Sequence, residues 1–299
     1  GGSFDIVTNR TQPVWFTVRA PRDAAPGEYR GEIALRVAGE PLVTLPLAVH
    51  VLPFTLPDQT RLRAIFDFRR GPGGWYGPEA HSAAERTKWL RFIAEHRLGI
   101  DGIEPPPKFT YRDGQVTMDT SEFDATARLC FDELGMNVSY TPWFFYMFGW
   151  AYPPQKLFGL EPFTPEWTIA FKQAYRLFAD HLRAKGWHDK FVYYISDEPH
   201  FDRAFVVEQM QKLCALIHAV DREIPIYSST WRHCAAWDDA LDLWGVGQYG
   251  CFPVAEMERL RRAGKQMWFT CDGQQATDTP YLATERMLPY YCLKYGATG

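Results

Sequence analysis

FVYYISDEPH, residues 191–200, is the stretch that decides the fold. Its first six residues are dominated by aromatic and β-branched types and are apolar on both faces, the pattern of a parallel strand buried between two layers. Pro199 cannot continue a central ladder and biases the residue before it toward extended backbone, so the strand ends at Asp197 and Glu198. In a parallel α/β architecture, the carboxyl end of a strand is where active sites are built.

Neighbours on a regular strand point to opposite faces. Asp197 and Glu198 therefore share a site only if the backbone turns at the rim, which Pro199 makes feasible. Two carboxylates held together beside Tyr193 and Tyr194 do not both ionise freely. Like charge and desolvation favour keeping one proton near neutrality, and such an acid can protonate a leaving oxygen. The spacing equally admits a structural role, with Asp197 capping the helix that starts near Phe201 and Glu198 in a surface ion pair.

Outward from this stretch, strands alternate with helices. Thr164 is an N-cap type and Pro165 suits a first turn, so a long helix runs from there to about Lys185 and leads into the strand. Downstream come a helix over 204–219, a strand at 224–230, a short helical piece from His233, a strand at 241–247, a helix over 254–263, a strand at 265–271 and a helix over 284–294. Upstream, strands are expected at 61–68, 100–105 and 137–143, with helices over 82–97 and 121–134; residues 106–119 read as irregular. Seven strand-plus-helix units, starting at 61, 100, 137, 191, 224, 241 and 265, predict an α/β fold, a (β/α)8 TIM-type barrel lacking its last strand, because YGATG ends the chain where an eighth would begin.

Before residue 59 the pattern is different. Runs at 12–20, 29–37 and 42–52 alternate apolar and polar residues, with a turn at Pro26 and Gly27. They predict three antiparallel strands, part of a β-sandwich. The expected domains are 1–58 and 59–299.

Aromatic residues make up 16% of the 299, with 11 Trp and 15 Tyr. That surplus suits stacking against sugar rings more than core filling alone. A net charge of -4 with no basic run argues against nucleic acid and anionic membrane surfaces, and no run is long enough for a membrane span. The six cysteines form no CxxC pair and read as buried free thiols. His181, His200, His218 and His233 lack HxxxH or HExxH spacing, so neither a metal nor a cofactor is expected.

The segments QPVWFTVRAPRDAAPGEYRGEIAL and LPFTLPDQTRL, the Asp-Glu-Pro end of the fourth barrel strand, WFTCDG and LPYYCLKYGATG together resemble glycoside hydrolase family 123 over nearly the whole chain. The DEP signature is the most specific part. The resemblance implies a secreted or periplasmic β-N-acetylgalactosaminidase that releases terminal β-GalNAc from glycans such as glycosphingolipid sugars, with a retaining, substrate-assisted mechanism. It makes Glu198 the general acid/base and Asp197 the group that holds and polarises the 2-acetamido group. Adjacent carboxylates fit side-by-side duties better than the opposed pair of most glycosidases.

Other rim residues follow from position alone, and a core role is as open for each. They are Trp143 after the third strand, Tyr194 on the fourth, Trp231 after the fifth, Gln248 and Tyr249 after the sixth, and Trp268 to Asp272 on the seventh. Tyr249 is the expected hydroxyl donor to the acetamido oxygen. Trp75, Tyr76, Trp150 and Tyr152 would form outer sugar subsites. Two rival readings keep the barrel. In one, Asp67, Glu104 or Asp272 is a true nucleophile paired with Glu198; in the other, the chain only binds carbohydrate.

Overall fold

The computed structural model describes residues 5, 7–57, 60–67, 82–270 and 283–299, without the side chains of 248–251 and 283–285. The chain divides into two compact units, Gly1–Asp58 and Gln59–Gly299.

In the first unit, β1 (Gly27–Val37) and β2 (Glu40–Val51) form an antiparallel pair joined at Ala38 and Gly39, both at positive φ. This is a two-residue hairpin turn of the kind that matches strand twist. Residues 12–20, expected as a third strand, form none, and Trp15 in that run is 79% exposed. Alternation fixes which face a residue would take, but a ladder also needs a partner edge. The sheet among the described residues of this unit has two strands.

The second unit alternates as expected. Its elements in order are β3 (Ile65–Phe66), α1 (Ala83–Glu95), β4 (Gly99–Ile100), β5 (Lys108–Arg112), β6 (Gln115–Asp119), α2 (Ser121–Arg128), β7 (Ser139–Tyr140), β8 (Phe148–Gly149), α3 (Pro165–Lys185), β9 (Phe191–Asp197), α4 (Ala204–Val220), β10 (Ile226–Arg232), β11 (Leu243–Cys251), α5 (Val254–Arg262), β12 (Gln266–Thr270) and α6 (Ala283–Tyr295). Seven strands pair in parallel in the order β3-β4-β7-β9-β10-β11-β12, and β8 lies along the end of β9. Residues 108–119, read as irregular, are the β5–β6 hairpin. Its turn is Asp113-Gly114, both at positive φ, and Asp-Gly between alternating runs is the sequence signal for that turn.

The helices cover one face of the sheet because their apolar spacing demands it. On α3, capped by Thr164 and ended by Gly186 at φ 73°, Trp167, Phe171, Tyr175, Phe178 and Leu182 are buried. These residues repeat at three to four positions and pack on Phe191 and Tyr193 of β9. The other face curls around a separate cluster of Val138, Val192, Tyr227, Leu243 and Trp268, with Ile65, Tyr140 and Tyr194 against it. Gly245 admits the Tyr227 ring there, since a Cβ on it would lie 2.6 Å from Tyr227 Cζ. Residues of the first and last strands share this cluster, and the two edges are linked through the chain end. Thr298 N–H donates to Met267 O, Phe269 N–H to Gly299 O, and Arg63 N–H to Thr298 O. The sheet is a curled parallel one in a mixed α/β fold.

At the amino end of the strands, Asp242 ties three elements together. It accepts from His218 of α4 at 2.9 Å, from Ile226 N–H of β10 at 3.1 Å and from Lys265 at 3.3 Å. Burial pushes its carboxyl up, but these hydrogen bonds and the charges of His218 and Lys265 outweigh burial and hold it below its ordinary 3.8. A lowered folded-state value contributes stability above the unfolded value that is lost as pH falls through the folded one. Asp242→Asn is therefore expected to destabilise the protein by about 1–3 kcal/mol at pH 7. The gap from wild type, read by denaturant melts, should close progressively below about pH 3.9.

Cys130, Cys214, Cys234 and Cys292 are buried free thiols, the Cys130 thiol pushed up to about 12 by burial; Cys251 and Cys271 lie outside the described side chains.

Candidate active site

Strand β9 carries the candidate site, and its irregularities aim the side chains. Its register against β10 runs Tyr193↔Ile226 and Tyr194↔Tyr227, then resumes as Ser196↔Ser228 and Asp197↔Ser229, so Ile195 is an extra residue. In a regular strand, Tyr194 and Asp197, three apart, would face opposite ways. This bulge returns Asp197 to the concave face shared by Tyr194 and Tyr227, and Tyr194 OH donates to Asp197 Oδ1 at 2.7 Å. Burial, then the Asp197 charge, hold the Tyr194 hydroxyl well above its ordinary value. It therefore remains a protonated donor at working pH.

Glu198 departs from expectation. Pro199 predicts extended backbone at Glu198, yet its φ is 45°, in the left-handed region. Such a conformation costs about 1–3 kcal/mol in a non-glycine residue and persists only where the surroundings over-determine it. Here Glu198 N–H donates to Ser229 O at 3.0 Å, and its Oε2 accepts from Trp150 Nε1–H at 3.0 Å. The turn carries Glu198 to Trp150, whose backbone N–H also donates to Asp197 O at 2.9 Å. The structural alternatives fall away: Arg203, not Asp197, stands at the α4 N-cap, and among the described residues no ion pair includes Asp197 or Glu198.

The approach to this rim comes from the third strand of the curled sheet, β7. β7 pairs with Phe191 and Val192, the chain leaves the sheet in a 3-10 turn over Trp143–Phe145, and it returns as β8 beside Ser196 and Asp197. Gln155 holds the detour, its Nε2–H donating to Phe144 O and Tyr146 O. Trp143, 57% exposed, stacks on Tyr146 with ring centroids 4.2 Å apart and planes 9° apart. Tyr146 in turn meets Tyr194 edge-on at 5.6 Å.

The sequence profile of the glycoside hydrolase 123 catalytic domain matches residues 108–299, well over half of the chain. The chain belongs to glycoside hydrolase family 123. Among solved structures it is similar to a family 123 glycoside hydrolase from Clostridium perfringens studied for glycolipid glycan hydrolysis, at 18% identity and a TM-score of 0.63, over 93% of this chain and 56% of that one. It thus spans just over half the length of that relative, and the likeness is one of fold. A glycosyl hydrolase family 2 member from Bacteroides cellulosilyticus aligns over 91% of this chain and 32% of that one at 13% identity, with a TM-score of 0.44. No curated protein matches.

Within this family 123 domain, Tyr194 meets Asp197, Trp150 meets Glu198, and Trp143 reaches Tyr194 through Tyr146. Trp231, 42% exposed, meets His200 edge-on at 6.3 Å, just past the carboxylates. Trp268 is placed differently: 3% exposed, with its indole N–H on Thr298 Oγ1 at 3.1 Å, it occupies a core position beneath Tyr227. Gln248 and Tyr249 belong to β11, but their side chains, like Trp75, Tyr76 and Asp272, lie outside the described residues. Asp67 and Glu104 are exposed. Tyr146 and Ser229 were not expected from sequence. Their roles arise from a loop detour and a register shift, and neither carries a motif.

Chemically, the rim offers two adjacent carboxylates, each steadied by its own donor on one oxygen. Among the described residues, Asp197 leaves Oδ2 and Glu198 leaves Oε1 for other partners. Exposed aromatic faces flank them.

Proposed function

We propose that this family 123 domain releases terminal β-linked N-acetylgalactosamine from glycans by a retaining, substrate-assisted mechanism. The observation that carries the reading is the division of donors, Tyr194 on Asp197 and Trp150 on Glu198. Asp197 Oδ2 would accept the acetamido N–H, while Glu198 Oε1 would carry the proton for the glycosidic oxygen. The acetamido carbonyl oxygen then attacks the anomeric carbon. The bond pair to the aglycone leaves with the departing oxygen, which takes the Glu198 proton, and an oxazolinium-like intermediate forms. The Glu198 carboxylate next takes a proton from water as that water opens the ring, restoring the β-anomer.

The consecutive arrangement supports this division, since an opposed nucleophile and acid need roughly 5 Å or more between carboxyl groups on either side of the bond. Trp143, backed by Tyr146, is the best candidate for a wall under the apolar face of the sugar. Trp231 and, on position, Gln248, Tyr249 and Asp272 are proposed as further contacts. The reading takes Gln59–Gly299 as a catalytic unit of (β/α)8 type. Glycolipid glycans, hydrolysed by the Clostridium perfringens relative, are the substrate class to try first.

Paired 4-nitrophenyl β-glycosides test the reading. The 2-acetamido galactoside should be hydrolysed, and the plain galactoside, lacking the internal nucleophile, should turn over at least about 10³-fold more slowly, within the range that removal of an attacking group costs. Comparable rates on both would instead favour an enzyme nucleophile, and turnover of neither would favour a binding protein. The 2-acetamido glucoside, differing only at C4, measures the preference for GalNAc.

A further inference from the structure

Trp150 stands where an outer sugar subsite is expected, yet its polar edge is directed elsewhere. The indole Nε1–H donates to Glu198 Oε2 at 3.0 Å. Its backbone is engaged on both sides of the same turn: Trp150 N–H donates to Asp197 O at 2.9 Å, and His200 N–H donates to Trp150 O at 3.0 Å. Trp150 and Glu198 both have left-handed backbones, at φ 48° and 45°. Two such non-glycine residues facing each other across one set of hydrogen bonds are a pair that neither local preference nor core burial would choose. Trp150 is 47% exposed and meets Tyr152 edge-on at 6.1 Å, and these bonds add to that contact in fixing it.

We infer that Trp150 is a positioning residue for the acid/base carboxylate, and this rests on the reading of Glu198 given above. By occupying Oε2, the indole leaves Oε1 as the oxygen that carries the proton, and it fixes the rotation of the carboxyl plane toward the leaving oxygen. The indole proton is not transferred. The step moves the Oε1 proton to the glycosidic oxygen as that oxygen takes the C1–O bond pair, and the acetamido oxygen forms the new bond to C1. Proton donation matters in proportion to the basicity of the leaving group. A defect confined to the acid therefore slows poor leaving groups and spares activated ones, whereas a general loosening of the site slows both.

The test measures kcat/KM of the full chain on β-GalNAc glycosides of 2,4-dinitrophenol and of methanol. It compares wild type, Trp150→Phe, and a chain with 3-benzothienylalanine at position 150, which keeps the bicyclic shape and lacks the N–H. Both changes should lower the methyl glycoside by about 10–100-fold, the scale of one hydrogen bond to a charged group, and leave the dinitrophenyl glycoside within about 3-fold. Equal losses on both substrates with either replacement, or no loss on either substrate, would overturn the role of Trp150 alone. Glu198→Gln is the control. If it shows no dependence on the leaving group, Glu198 is not the acid and the role of Trp150 falls with it.

Discussion

Glu198→Gln is expected to lower kcat/KM on a β-GalNAc alkyl glycoside by about 10²–10⁴-fold, the usual contribution of a positioned general acid/base. The substitution keeps the side chain's volume and an oxygen able to accept from Trp150 Nε1–H, so the hydrogen bond that steadies Glu198 can survive. Its backbone contact, N–H to Ser229 O, does not involve the side chain. Removal of the transferable proton is then the main change. Circular dichroism melts should differ from wild type by no more than a few degrees. A variant that keeps more than about a tenth of wild-type activity on the alkyl glycoside would remove Glu198 from the acid role.

Asp197→Asn should lower kcat/KM by about 10²–10³-fold, the range seen when one preorganised electrostatic contact to a transition state is lost. In the proposed mechanism, positive charge grows on the amide nitrogen as the acetamido oxygen attacks, and a carboxylate facing the N–H would stabilise it more in the transition state than in the ground state. Asn has the same shape without the charge. It also offers an NH2 group that can turn toward the Tyr194 hydroxyl, whose proton burial and the Asp197 charge now hold firmly in place. The loss should appear mainly in kcat, with KM changed little, and it should be as large for the 2,4-dinitrophenyl glycoside as for poorer leaving groups. That last feature separates Asp197 from Glu198. Near-normal turnover of the dinitrophenyl glycoside by Asp197→Asn would show that the carboxylate takes no part in the attack.

Most of the curled sheet is legible in sequence because its signals are local and agree with one another. Thr164-Pro165 and Gly186 mark the ends of α3, and the continuous apolar run of FVYYI marks a strand covered on both faces. The Asp-Glu-Pro end of β9 was legible for the same reason, since proline stops the ladder. What was not legible depends on pairing between distant segments. Ile195 becomes an extra residue only against β10, and that bulge, invisible in FVYYISDEP, is what brings Asp197 onto the Tyr194 face. Residues 137–143 read as one strand, but the chain leaves the sheet at Trp143 and returns as β8, so the Trp150 contact with Glu198 could not be foreseen. In the first unit, residues 12–20 alternate as a strand should and yet find no ladder, because alternation reports a preference for faces and says nothing of a partner edge.

The central claim is that the substrate's own amide attacks the anomeric carbon while two neighbouring acids serve it. It is tested most directly by kcat/KM for 4-nitrophenyl β-GalNAc glycosides in which the acetyl methyl carries zero, one, two or three fluorines. Each fluorine withdraws electron density from the carbonyl oxygen with little change in size. Participation predicts a steep monotonic fall across the series, with the trifluoroacetamido compound nearly inert. A flat series, with all four compounds hydrolysed at similar rates, would contradict it and return the nucleophile to the enzyme.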